Sequence, residues 1–68
     1  MHYKENDIVW LHPFYEEGNL IEGRVKAKIL SRFHDTFYCV CVLEEFREKN
    51  DPDGLREGVP RDQIECIA

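Results

Sequence analysis

Three cysteines, three histidines and two pairs of neighbouring glutamates are the residues of this 68-residue chain that could carry chemistry. Cys39 and Cys41 stand two apart in a strand-like run, so their side chains point the same way and a disulfide between them would strain the backbone. With Cys66 the count is odd, and free thiols in a reducing compartment are the natural expectation. Zinc is the sharper alternative, because His34 lies near the pair and His2 and His12 are available. No C-x-x-C or H-x-x-x-H spacing supports it, so no metal site is expected and the cysteines are expected to act as small buried apolar residues. His34 beside Cys39 or Cys41 could be imagined as base and nucleophile. A reactive thiol, however, wants an electropositive, partly open site, and these thiols sit in mid-strand. Glu16-Glu17 and Glu44-Glu45 are sequence neighbours, not a positioned acid and base. No G-x-S-x-G, phosphate-binding loop, H-E-x-x-H or dinucleotide fingerprint occurs. The chain is expected to be non-catalytic and to need no cofactor.

The elements available to position side chains are strands. The length suits a single domain over residues 1–68, and 43% hydrophobic with 34% charged residues is a globular composition. Helical periodicity is poor and period-two alternation is strong. The first strand is expected over Asp7–His12, entered by a turn at Asn6-Asp7 and ended by Pro13. Phe14–Gly23 reads as a loop whose two glycines can turn with positive φ. The second strand, Gly23–Leu30, alternates Val25, Ala27 and Ile29 inward with Arg24, Lys26 and Lys28 outward. After a polar connection turning at His34-Asp35, the third strand runs Phe37–Leu43, with Tyr38, Val40 and Val42 on one face and Phe37, Cys39, Cys41 and Leu43 on the other. Glu44–Gly58 is irregular around the Asn50-Asp51-Pro52-Asp53-Gly54 turn. Glu45-Phe46-Arg47 could pair with Leu55–Val59 as a hairpin, or Glu44–Lys49 could form one helical turn. Pro60–Gln63 reads as a 3₁₀ turn opened by proline, and Ile64–Ile67 as the last strand. Five short strands in so small a chain predict a closed barrel, which removes exposed edges.

Three stretches together resemble the SH3-like barrels of the Tudor and Agenet kind: Lys4–Trp10, Glu22–Ile29 and Gly58–Ile64. The resemblance covers nearly the whole chain and implies an all-β, five-stranded SH3-like (Tudor-like) barrel with one 3₁₀ turn before the last strand. In that family an aromatic cage often binds methylated lysine or arginine, the cation resting on π-faces that contribute about 0.5–2 kcal/mol each. The comparable residues here are Phe14, Tyr15, Phe33 and Phe37, with Tyr38 adjacent and Asp35 or Glu16 as the complementary acid. Alternation puts Trp10 and Ile8 on the face opposite Val9 and Leu11, where the Glu44–Gly58 loop caps them or a partner does.

Charge narrows the partner. Nine bases against fourteen acids leave a net charge of −5, which argues against nucleic acid as the default ligand. The distribution is uneven. Arg24, Lys26, Lys28 and Arg32 have no acid among them, whereas Glu44, Glu45, Glu48, Asp51, Asp53 and Glu57 crowd the irregular stretch and would select a basic segment. The expected function is a protein-interaction module that binds another protein or peptide, a methylated or basic tail among the candidates. The contact surface would be the aromatic residues at the barrel end, with Trp10 included. One alternative is a small free-standing microbial or phage protein that inhibits a host enzyme, since the chain opens with Met and its last strand-like segment ends one residue before Ala68. The other is nucleic-acid binding by the basic second strand with stacking on Phe33. The longest apolar run is far short of the ~20 residues of a membrane helix, so no membrane is expected and the chain reads as intracellular, cytoplasmic or nuclear. A monomer is expected, or a weak homodimer through an exposed edge of Arg24–Leu30.

Overall fold

Alternation of apolar and polar residues becomes strand pairing wherever one face can be buried. In a computed structural model, which describes residues 2–68, this happens along seven strands: β1 (Ile8–Leu11), β2 (Phe14–Glu16), β3 (Asn19–Glu22), β4 (Val25–Phe33), β5 (Phe37–Val42), β6 (Leu55–Pro60) and β7 (Ile64–Ile67). Five of them form an antiparallel sheet in the order β6-β5-β4-β1-β7, and β2 and β3 form a separate hairpin. The chain is thus all-β, as expected. The sheet is not closed by strand pairing, because β6 and β7 each pair on one side only. The expected closed cylinder is corrected to an open five-stranded sheet with a separate two-stranded one.

The inward set of β4 is Val25, Ala27 and Ile29, all buried, and it packs with Val9 and Leu11 of β1, Tyr38, Val40 and Val42 of β5, Val59 and Ile64. Tyr38 is completely buried. Its hydroxyl oxygen accepts the Tyr3 N–H at 3.1 Å, and the Tyr3 ring meets it edge-on at 5.8 Å. That contact settles the polar end of an otherwise apolar side chain, which would be costly to bury alone.

Several element boundaries differ from the sequence reading. β4 continues through Ser31 and Arg32 to Phe33, because a bulge between Ile29 and Ser31 interrupts the alternation without interrupting the ladder. The Phe14–Gly23 loop contains the β2–β3 hairpin, turning at Glu17 (φ 51°) and Gly18 (φ 81°), and Gly23 needs no positive φ. Glu44–Phe46 is a short 3₁₀ turn, not half of a hairpin, and the partner of β6 is β5. A second 3₁₀ turn, Arg61–Gln63, follows Pro60 where expected. Asn6 (φ 75°) provides the turn before β1, and His34 and Asp35 both take positive φ between β4 and β5. Because β4 lies between β1 and β5, it has no free edge, which removes it as a dimerisation edge. Among the described residues no helix is long and apolar enough to cross a membrane.

Candidate functional site

The β2–β3 hairpin is where local sequence and tertiary packing part company. Tyr15 pairs with Leu20 across the two strands and Phe14 with Glu22, with a bulge that leaves Ile21 unpaired. Phe14 and Ile21 therefore line a groove between the hairpin and the main sheet, and Tyr15 and Leu20 do not. All four side chains are exposed. The groove has a volume of about 630 Å³. Leu11 and Val59, both core residues, reach its floor, and Pro60 adds apolar surface. Its polar rim carries Glu22, Glu48, Asp51 and Glu57, four carboxylates against the single guanidinium of Arg56.

Arg56 spans the groove. Its Nη2 donates to Glu22 Oε2 of the hairpin at 2.9 Å and also to the Asp51 carboxylate of the long loop, and Nη1 donates to Asp51 Oδ1 at 3.1 Å. This hydrogen bonding holds the Asp51 carboxyl below its usual range and raises the already high pKa of Arg56. The side chains of Glu48 and Glu57 take part in no hydrogen bond or ion pair among the described residues.

The long loop that supplies Glu48 and Asp51 is pinned from beneath. The Arg47 guanidinium donates from Nε to the Val42 carbonyl at 2.8 Å and from Nη1 to the Pro52 carbonyl at 3.1 Å, and it approaches Cys41 Sγ at 3.4 Å. Gly54 (φ 65°) sits so close that an added Cβ would lie 2.6 Å from both Arg47 Nε and the Val42 oxygen.

The aromatic residues expected to share one surface are dispersed. Phe14 lines the groove and Tyr15 points from the opposite hairpin face. Phe33 and Phe37 stack on each other at 6.0 Å on the outer face of the β4–β5 end, with His34 edge-on to Phe33. Tyr38 is in the core and is withdrawn as a surface residue. No ring contact joins Phe14 or Tyr15 to Phe33 or Phe37 among the described residues. Asp35 stands at the tip of the turn, its side chain 88% exposed and 3.7 Å from Arg32, remote from any cage. Trp10 is capped by its own chain: Phe46 of the first 3₁₀ turn meets it edge-on at 5.6 Å, and Arg24 lies 3.7 Å over the ring with Lys26 at 5.0 Å.

The basic strand is likewise partly engaged. Arg24 forks onto the Glu65 carboxylate, with Nη2 to Oε1 at 2.6 Å and Nε to Oε2 at 3.1 Å, which lowers the Glu65 pKa. His12 Nδ1 lies 3.6 Å from the same carboxylate. The three thiols are free; Cys39 and Cys41 are half-buried and Cys66 is exposed, so none is the buried core residue expected. Among the described residues no group of three or more His, Cys, Asp or Glu side chains is placed to hold a metal ion.

Ile21, Glu22 and Arg56 are among the groove residues that sequence reasoning missed. The signal for Ile21 was present in Leu20-Ile21, two apolar residues six positions after Phe14-Tyr15. The role of Arg56 depends on a long-range approach that no local pattern encodes. No family model matches the chain, and no curated protein or solved structure matches it.

Proposed function

We propose that this chain is a non-catalytic protein-interaction module that binds a basic segment of another protein in the groove between the β2–β3 hairpin and β6. The sheet order β6-β5-β4-β1-β7 with a flanking hairpin and a 3₁₀ turn before the last strand favours reading the architecture as SH3-like. The observation that carries the function is the composition of the groove: an apolar floor and wall under a rim of four carboxylates, of which Glu48 and Glu57 are uncommitted. Complementary charge steers and orients a partner, and apolar contact beneath it supplies affinity.

The test is a titration of the intact chain, followed by amide chemical shifts, with short peptides that place Lys or Arg beside Leu or Phe, and with the same peptides carrying Glu for each base. Shifts centred on Phe14, Ile21 and Glu57, weakening with salt and absent for the acidic set, are expected. Reversing charge in Glu48→Lys/Glu57→Lys is expected to weaken the basic peptides by about tenfold or more. Equal binding of both peptide sets, or shifts confined to Lys26 and Lys28 on titration with single-stranded RNA, would overturn the reading.

A further inference from the structure

We infer that the cation this groove selects is an unmethylated arginine beside an apolar residue, an inference that rests on the reading above. A methylated ammonium has lost N–H donors and is held by several π-faces around it. The groove presents one ring, Phe14. The other seven rings lie outside its lining: Phe33 and Phe37 stack on each other, Phe46 and Arg24 cover Trp10, Tyr3 packs edge-on against the buried Tyr38, and the exposed Tyr15 does not face the groove. What the walls offer in quantity is carboxylate oxygen, which rewards a side chain with many donors.

The groove already displays the geometry. The planar fork of Arg56 is held between Glu22 on the hairpin wall and Asp51 on the loop wall. An incoming guanidinium finds the same kind of acceptors in Glu48 and Glu57, which line the groove and have no side-chain partner among the described residues. Arginine spreads five donors over a rigid plane and engages carboxylates in pairs, whereas lysine offers a compact, strongly hydrated point charge. The neighbouring apolar residue has Phe14, Ile21, Val59 and Pro60 to rest on.

The experiment is calorimetric titration of the full chain with four peptides identical except at one position next to leucine, occupied by arginine, lysine, trimethyl-lysine or citrulline. Arginine is expected to bind tightest, lysine several-fold weaker, and trimethyl-lysine and citrulline at least about tenfold weaker. Glu57→Gln and Glu48→Gln, with folding checked by the amide spectrum, are expected to weaken the arginine peptide several-fold and leave the citrulline peptide unchanged. Trimethyl-lysine binding as tightly as arginine, or citrulline matching it, overturns the inference. Basic peptides that bind without discrimination overturn this inference alone. Failure of all four, together with the wider basic set, overturns the underlying reading as well.

Discussion

The two antiparallel hairpins of this chain are built from similar residues and end in opposite states. β4–β5 buries a complete face: Val25, Ala27, Ile29, Tyr38, Val40 and Val42 are withdrawn from water, and the outer face carries charge and half-buried thiols. In β2–β3, Phe14, Tyr15, Leu20 and Ile21 are all exposed. A two-stranded hairpin is marginal without a face to bury, so this one is held by the clasp from Glu22 to Arg56 and by its approach to the groove. The difference teaches where to look for function. Apolar side chains left exposed by the fold are the ones available to a partner outside it.

The largest expected effects lie in the first hairpin. Ile29→Ala removes a completely buried side chain from the centre of the core and is expected to cost about 2–5 kcal/mol. A domain of this size holds only about 3–5 kcal/mol in total, so the variant should keep at most about 3 kcal/mol, read as a large drop in urea midpoint or as outright unfolding by circular dichroism. Ile21→Ala in the second hairpin, at 52% exposure, should change stability by no more than about 0.5 kcal/mol while weakening the arginine peptide. If Ile21→Ala unfolds the chain, the hairpin is structural and the comparison fails.

The glycines repeat the contrast at smaller amplitude. Gly54→Ala meets both a left-handed φ and a backbone oxygen 2.6 Å from the new Cβ. It must displace Arg47 and with it the loop that carries Glu48 and Asp51. A cost above the ~1–2 kcal/mol of left-handed strain alone is expected. Gly18→Ala, at the hairpin tip, has the same φ problem with nothing within 4 Å, so only the strain remains. Equal losses of urea midpoint for the two variants would show that the close approach at Gly54 carries no weight.

What was legible in the sequence follows the same division. The alternation from Val25 to Ile29, the Tyr38-Val40-Val42 face and the turns at Asn6, His34-Asp35 and Pro60 are local patterns with local causes, and the structure carries each of them. The continuation of β4 past Leu30 was hidden because a bulge shifts the period by one residue. The site was much less readable. A set of rings in sequence says nothing of what each will meet, and Phe14 lines the groove, Phe33 stacks on Phe37, and Trp10 lies under Arg24 and Phe46. The acidic stretch pointed toward a basic partner, but only folding decides that Glu48, Asp51 and Glu57 rim the groove while Glu44, Glu45 and Asp53 do not.

Cutting the clasp separates the hairpins without touching the core. Arg56→Met keeps the aliphatic stem and removes both ion pairs, which are partly exposed, so a stability loss of about 1 kcal/mol or less is expected. The informative readout is local. Amide hydrogen exchange in Asn19–Glu22 should accelerate severalfold while that of Ile29 and Val40 follows global stability. Uniform acceleration in both hairpins would show that Arg56 supports the whole fold and not the hairpin alone.

Acid is the gentlest way to make the same cut. The Asp51 carboxyl is held below its usual range by Arg56, so the folded state binds that proton less readily than the unfolded chain does. The stabilisation is complete above the ordinary aspartate range and is lost as pH falls through it toward the lower folded value. Glu65, lowered by Arg24, titrates with the same sign but ties β7 to the segment before β4, not the hairpin. Stepwise acidification through the ordinary aspartate range should therefore lower the protection of the hairpin amides in the parent chain, each exchange rate being referred to the intrinsic rate at that pH. In Asp51→Asn, which has no such proton to take up, the hairpin should already exchange faster at neutral pH and change less on acidification. A hairpin whose protection responds to acid equally in both chains would show that the Asp51–Arg56 contact has no part in that response, leaving the long loop without a part in holding the groove.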